Sequence, residues 1–184
     1  MHKILLTIFF SAFLVFTSFA QQIEWMSMKE ALKSQEKEPR KIFMDAYTTW
    51  CGPCKMLDKN TFSNADVANF INKNYYPVKF NAEGNDTIVY QQREFKNPNY
   101  DPARRGRNST HEFTRALKVT GYPSLVFFNE EGGLIGPIPG YRTPHQLEVL
   151  LKLFQKEDYK KINDQEAFRE YNETFKNEFV VPEK

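Results

Sequence analysis

The stretch Trp50-Cys51-Gly52-Pro53-Cys54-Lys55, read with Lys41-Ile42-Phe43-Met44-Asp45-Ala46-Tyr47 before it, decides the fold. It holds the only two cysteines of the 184-residue chain. Their sulfurs sit three positions apart, so at a helix start they share one face. A pair this close can pass between dithiol and disulfide without moving the rest of the molecule. Residues 42–47 are short and near-continuously apolar, as a strand covered on both faces should be. The residues after the motif are helix-like, with Pro53 in the first turn, where a missing N–H costs little. A C-x-x-C on a strand-to-helix turn is a redox arrangement.

Outward from this stretch, residues 1–20 are set aside as an expected export signal. Lys3 is a small positive start, Ile4 to Phe16 is an apolar run, and Ser18-Phe19-Ala20 is a small-x-small cleavage pattern before Gln21. The run is short for a membrane span, which needs roughly 20 apolar residues. Residues 21–184 then form a single domain with room for a real core. The chain has 25 basic against 23 acidic residues, and Lys3 leaves with the signal. So small an excess is no footprint for nucleic acid or an anionic membrane. Exported proteins usually spend cysteines on structural cross-links, and this one has none to spare. Zinc wants four ligands; beyond Cys51 and Cys54 only His111 and His145 follow the leader, each in a predicted helix cap. No metal and no cofactor are expected.

In chain order, Ile23 to Met26 reads as a short edge strand. Ser27 and Glu30 have capping-box spacing for a helix to about Gln35. Ile42–Tyr47 is a central strand, the motif helix runs to about Lys59, and Ser63 to Asp66 caps another helix. Tyr75 to Asn81 is a second strand, parallel to the first across a right-handed crossover. Residues 82–108 are turn-rich, with Ile88 to Gln92 as a helical turn and Arg104, Arg105 and Arg107 as a small basic cluster. Ser109 to Glu112 reads as a third capping box. Ser124–Phe128 and Leu134–Tyr141 form a hairpin, and Pro137 and Pro139 put its second strand at an edge or bulge. Thr143 and Pro144 open a helix buried along Leu147, Leu150, Leu151 and Phe154. Residues 156–184 add a charged helical extension.

From about Ile42 to Leu153, with W-C-G-P-C-K after a strand carrying Asp45, the chain resembles thioredoxin. The resemblance implies an α/β thioredoxin fold: a central mixed β-sheet flanked by helices. Here it would carry an insertion of about 82–108 before the cis-proline segment and an extra C-terminal helix. At a helix N-terminus, unpaired N–H groups favour a thiolate, so Cys51 is expected to be the exposed nucleophile and Cys54 the covered, resolving partner. Asp45 among apolar neighbours should be desolvated, which raises its pKa. It matches the family's buried Asp, and Lys79 falls where the family keeps a lysine near it. That makes the two a candidate base and its partner, against a purely structural pair. Pro123 matches the cis-proline, Tyr122 the residue whose backbone pairs with substrate, Trp50 the ring beside the disulfide, and Gly140 a side-chain-free point in the docking groove. Tyr47 stands where the family usually has Trp.

The expected function is an exported thiol–disulfide oxidoreductase, periplasmic in a Gram-negative bacterium. Its substrates are protein thiols and disulfides. Gly52-Pro53 resembles the reducing members, so a membrane electron-donor protein is expected as partner, and no nucleic acid. The alternatives are a disulfide oxidase or isomerase, and a binding or chaperone module in which residues 82–108 carry the affinity.

Overall fold

Ile42–Tyr47 forms β1, and ladder hydrogen bonds on both of its edges place it inside a four-stranded sheet. The computed structural model describes residues 22–182. The signal expected over residues 1–20 lies outside the described residues. On one side of β1 runs β2 (Tyr76–Asn81), parallel, with Asp45 opposite Lys79. On the other runs β5 (Ser124–Phe128), antiparallel, followed by β6 (Leu134–Pro139) at the edge. The order β2-β1-β5-β6 is the mixed sheet expected. β6 carries Pro137 and Pro139, and the ladder shifts register at Phe127/Phe128, as prolines at an edge allow.

Alternation along the strands sorts the core into two layers. Phe43, Leu125 and Phe127 face one way, against α3 (Ala65–Asn74) and α5 (Pro144–Gln155). Ile42, Met44, Ala46, Val78, Phe80, Val126 and Phe128 face the other, against α1 (Met28–Gln35) and α4 (Glu112–Ala116). Asp45 shares parity with Phe43 and Lys79 alternates with Val78 and Phe80, so both side chains point to the first layer. α2 (Gly52–Leu57) lies there too, through Leu57.

Two helix starts carry capping boxes. Ser27 N–H donates to Glu30 Oε2 at 2.8 Å while Glu30 N–H donates to Ser27 Oγ at 3.2 Å. Thr143 and Gln146 do the same for α5.

Five local expectations are corrected. Residues 23–26 make one bridge, Met26 to Val78, not a strand; the next ladder donor would be the nitrogen of Pro77, which has no hydrogen. α2 does not stop near Lys59 but runs on as a π-helical turn, Asp58–Phe62. Phe62 packs on Trp25 and Phe43 there, and Thr61 Oγ1 donates to Arg142 O at 2.6 Å. Residues 88–92 are not a helical turn: β3 (Ile88–Tyr90) and β4 (Arg93–Phe95) form a hairpin joined by Gln91 and Gln92, both left-handed. Tyr90 and Phe95 bury against Phe113. α4 is capped by His111, whose Nδ1 accepts from Phe113 N–H, while Ser109 Oγ donates to Asn97 Oδ1. β6 ends at Pro139, two residues before Tyr141.

The extension is a 3₁₀ turn (Asp158–Lys161) and α6 (Gln165–Thr174), whose Phe168 and Tyr171 pack on the first layer. Residues 177–180 then cross back over α5 and are clamped by Glu148, which is fully buried. Its oxygens accept from Glu178 N–H at 2.8 Å, Phe179 N–H at 3.1 Å and Asn177 Nδ2 at 3.0 Å, and pair with Lys152 at 2.7 Å. Burial alone would raise the Glu148 pKa; these donors outweigh it and hold the carboxyl below its ordinary value. This contribution to stability is therefore complete above the ordinary carboxylate range and lost as pH falls through the lowered folded value. Glu148→Ala removes the shared acceptor of three donors and leaves Lys152 with Glu178 alone. It is expected to cost about 3 kcal/mol in urea unfolding at pH 7 and to speed amide exchange at residues 178–180.

Candidate functional site

β1 ends at Tyr47, and the chain turns through Thr48 and Thr49 into α2, so the cysteine pair emerges at the carboxyl end of a central strand. Cys51 N–H donates to Thr48 O at 3.2 Å, which closes that turn. Cys51 is the N-cap of α2, and its Sγ accepts from Cys54 N–H at 3.1 Å. The two cysteines are joined as a disulfide with Cα atoms 5.3 Å apart. The expected contrast in exposure is not seen: Cys51 is 2% and Cys54 1% exposed. In the disulfide the Cys51 sulfur is bonded to Cys54 and accepts its N–H, which holds both sulfurs against the helix start.

The other residues expected from the sequence meet in groups: Trp50 with Tyr122, Gly140 with Pro123, and Asp45 with Lys79. Tyr122-Pro123 is a cis peptide. Trp50 and Tyr122 meet edge to face with ring centroids 6.2 Å apart. Gly140 N–H donates to Pro123 O at 2.7 Å, tying the end of β6 to the cis-proline turn. Gly140 has φ +97°, a left-handed conformation that itself favours glycine, and an added Cβ would meet only the end of Arg142.

Asp45 is fully buried. Its Oδ2 lies 2.7 Å from Lys79 Nζ, and neither oxygen has a hydrogen-bond partner of good geometry among the described residues. Burial pushes the Asp45 carboxyl up to about 6, against the pull of Lys79. Burial likewise disfavours charge on Lys79, but Asp45 and Asp58 outweigh it and hold the ammonium above its ordinary value. Lys79 also lies over the rings of Trp25, Tyr47 and Phe62, at 4.9, 5.0 and 5.2 Å. Tyr47, the departure from the family's Trp, thus forms one wall of an aromatic cage for this cation.

Three residues at the site were missed from sequence. Asp58 pairs with Lys79 from the π-helical turn; it lies four residues after Cys54 on a helix face, a spacing that could have flagged it. Glu83 accepts from Trp50 Nε1 at 2.7 Å, and Arg107 lies over the Trp50 ring at 4.3 Å. No local pattern joins either to Trp50, because they arrive from opposite ends of the insertion.

A family model described as a thioredoxin-like domain matches residues 28–155. This chain belongs to the thioredoxin-like family. Among curated relatives, it is 29% identical over 121 residues to a thiol:disulfide interchange protein DsbD of Klebsiella pneumoniae, covering 66% of this chain and 16% of that one. It is 25% identical over 115 residues to the disulfide bond reductase DsbH of Chlamydia pneumoniae, covering 61% of this chain and 60% of the other. The chain therefore spans about a sixth of the length of the DsbD relatives it matches. Among solved structures, a putative disulphide-isomerase from Bacteroides thetaiotaomicron superposes with TM-score 0.51 and 28% identity, over 74% of this chain and 95% of that one.

Because folded Asp45 holds its proton more tightly than the unfolded chain does, the neutral form's contribution is complete below about pH 4 and is lost as pH rises through about 6. Asp45→Asn cannot ionise. It is expected to be more stable than the parent at pH 8 by about 2 kcal/mol, with the difference vanishing below about pH 4. Urea unfolding at the two pH values checks this; an equal difference at both would assign the effect to packing.

Proposed function

We propose that this chain is an exported thiol–disulfide oxidoreductase that reduces disulfides in envelope proteins through Cys51 and Cys54. The observation that carries this is the cysteine pair at the start of α2, with Cys51 Sγ accepting the Cys54 N–H and Trp50, one residue before it, set against the ring of Tyr122 at the cis-proline turn. The same N–H can hold a thiolate, which is the nucleophile in disulfide exchange.

In the reduced protein the Cys51 thiolate attacks a substrate disulfide. A bond forms between Cys51 Sγ and one substrate sulfur, and the other substrate sulfur leaves as a thiolate. Asp45, ionised above about pH 6, takes the Cys54 proton. Lys79, held by Asp45 and Asp58, positions that carboxylate. The Cys54 thiolate then attacks Cys51 Sγ, and the first substrate sulfur is released. Two electrons have passed from the dithiol to the substrate, and the protein is left as the disulfide. Trp50 and Gly140 flank the groove in which the substrate backbone adds alongside Tyr122 as an extra strand.

Gly52-Pro53 between the cysteines and the similarity to a disulfide bond reductase support the reducing direction. The apolar run and small-x-small pattern of residues 1–20 support export and a cleaved signal, leaving 21–184 as the working domain. An oxidising compartment supplies no ready reductant, so re-reduction falls to a membrane protein that brings electrons across. The second reading is a disulfide isomerase, favoured by the likeness to the Bacteroides structure.

The test is the reduction potential of the pair, measured by equilibrating the protein against defined thiol buffers. A value near the thioredoxin end of the scale, about −270 mV, is expected; one near −120 mV would reverse the direction. Cys51→Ser is expected to abolish insulin reduction. Cys54→Ser is expected to accumulate mixed disulfides visible on non-reducing gels. Full activity in Cys51→Ser would overturn the assignment.

A further inference from the structure

Beyond β4 the insertion returns to Trp50, one residue before Cys51, and places a cation on its ring. Trp50, Glu83, Arg107, Thr110, Gly121 and Tyr122 line an open cleft of about 410 Å³ that begins one residue from Cys51. Its far wall is built by the insertion. Asn97 Nδ2 donates to Gly84 O at 2.9 Å and to Ser109 O at 2.8 Å, which draws the two ends of the loop together. The nearly buried carboxylate of Glu83 accepts from Trp50 Nε1 and from Asn108 N–H, both at 2.7 Å. These bonds lock the segment carrying Arg107 onto the ring beside the disulfide.

Arg107 itself is exposed. Its guanidinium lies on the Trp50 face, 4.3 Å from the ring centroid. Among the described residues it makes no ion pair, and none of its N–H groups is used in a hydrogen bond. Glu83, which lines the same cleft, accepts from Trp50 and Asn108 and makes no ion pair with it. Arg104 and Arg105 are also exposed and unpaired among the described residues, while Asp101 turns its carboxylate onto Ala103 N–H. A guanidinium stacked on an indole keeps its donor edge directed outward, preorganised for a carboxylate.

We propose that Arg107 is a specificity-determining residue that recognises a carboxylate flanking the target disulfide of an extended protein segment bound in the groove. This rests on the oxidoreductase reading and assigns its preferred substrates. The two electrons come from the protein's own dithiol, as above, so recognition adds no further reactant.

The experiment uses the pre-reduced protein and two synthetic disulfide peptides, identical except for Glu or Lys beside the disulfide. Neutral hydroxyethyl disulfide serves as the reference substrate. At low salt the parent is expected to react about three- to fivefold faster with the Glu peptide than with the Lys peptide, the scale of an exposed ion pair. The ratio should shrink towards one in high salt. It should fall in Arg107→Gln and invert in Arg107→Glu. Because each ratio is taken on one preparation, a general loss of activity does not mimic the effect. A ratio unmoved by both substitutions, with hydroxyethyl disulfide still reduced, overturns this inference alone. Failure to reduce any of the three substrates overturns it together with the oxidoreductase reading.

Discussion

β1 is covered on both faces and bonded on both edges, and the rest of the molecule is arranged by that constraint. Phe43 serves one layer while Ile42, Met44 and Ala46 serve the other. β2 and β5 satisfy its backbone groups on either side. A strand held this way cannot shift register without turning every side chain to the wrong face. The turn that follows it, and the cysteines at the start of α2, therefore have a fixed origin. Precision at the disulfide comes from the strand behind it, which has no freedom to move.

Into this strand the chain places a charge. Asp45 is the one residue of β1 that the core would reject. Lys79, directly opposite in register, is near enough to pair with it but does not cancel the cost of burial, since the carboxyl still sits at about 6. Lys79 is itself caged by three aromatic rings and tied to Asp58 in the π-helical turn. π-helical turns are rare, and those that occur are frequently at functional sites. Here the turn sets Asp58 against Lys79 on the helix that carries both cysteines. A helix, a strand edge and a buried acid are thereby coupled through one ammonium group.

The two additions to the family's pattern behave differently. Part of the insertion is ordinary core: Ile88, Tyr90 and Phe95 extend the second layer, and Asp86 O is bonded by buried His111, the cap of α4. Its two ends reach the site, through Glu83 at the start and Arg107 on the return arm. The C-terminal strap, residues 177–180, is held over α5 by the buried carboxylate of Glu148. One addition modifies the site; the other fastens the outer face of α5.

The sequence by itself determined the elements whose signals are local. The apolar run of β1, the Ser27 capping box, the Thr143-Pro144 helix start, Pro53 at the start of α2 and the C-x-x-C spacing all act over a few residues, and each was legible there. The resemblance added Asp45, Lys79, Pro123 and Gly140 as positions, and the register of β1 against β2 put the first two together. What only the tertiary structure decided depends on packing between distant residues. The hairpin at Gln91 and Gln92 lacks the glycine or asparagine that marks such turns. It is set by burying Tyr90 and Phe95 against Phe113. α2 runs past Lys59 because Phe62 finds Trp25 and Phe43. Glu83, Arg107 and Trp50 meet because the insertion folds back, and no periodicity in the chain encodes a contact that only loop closure creates.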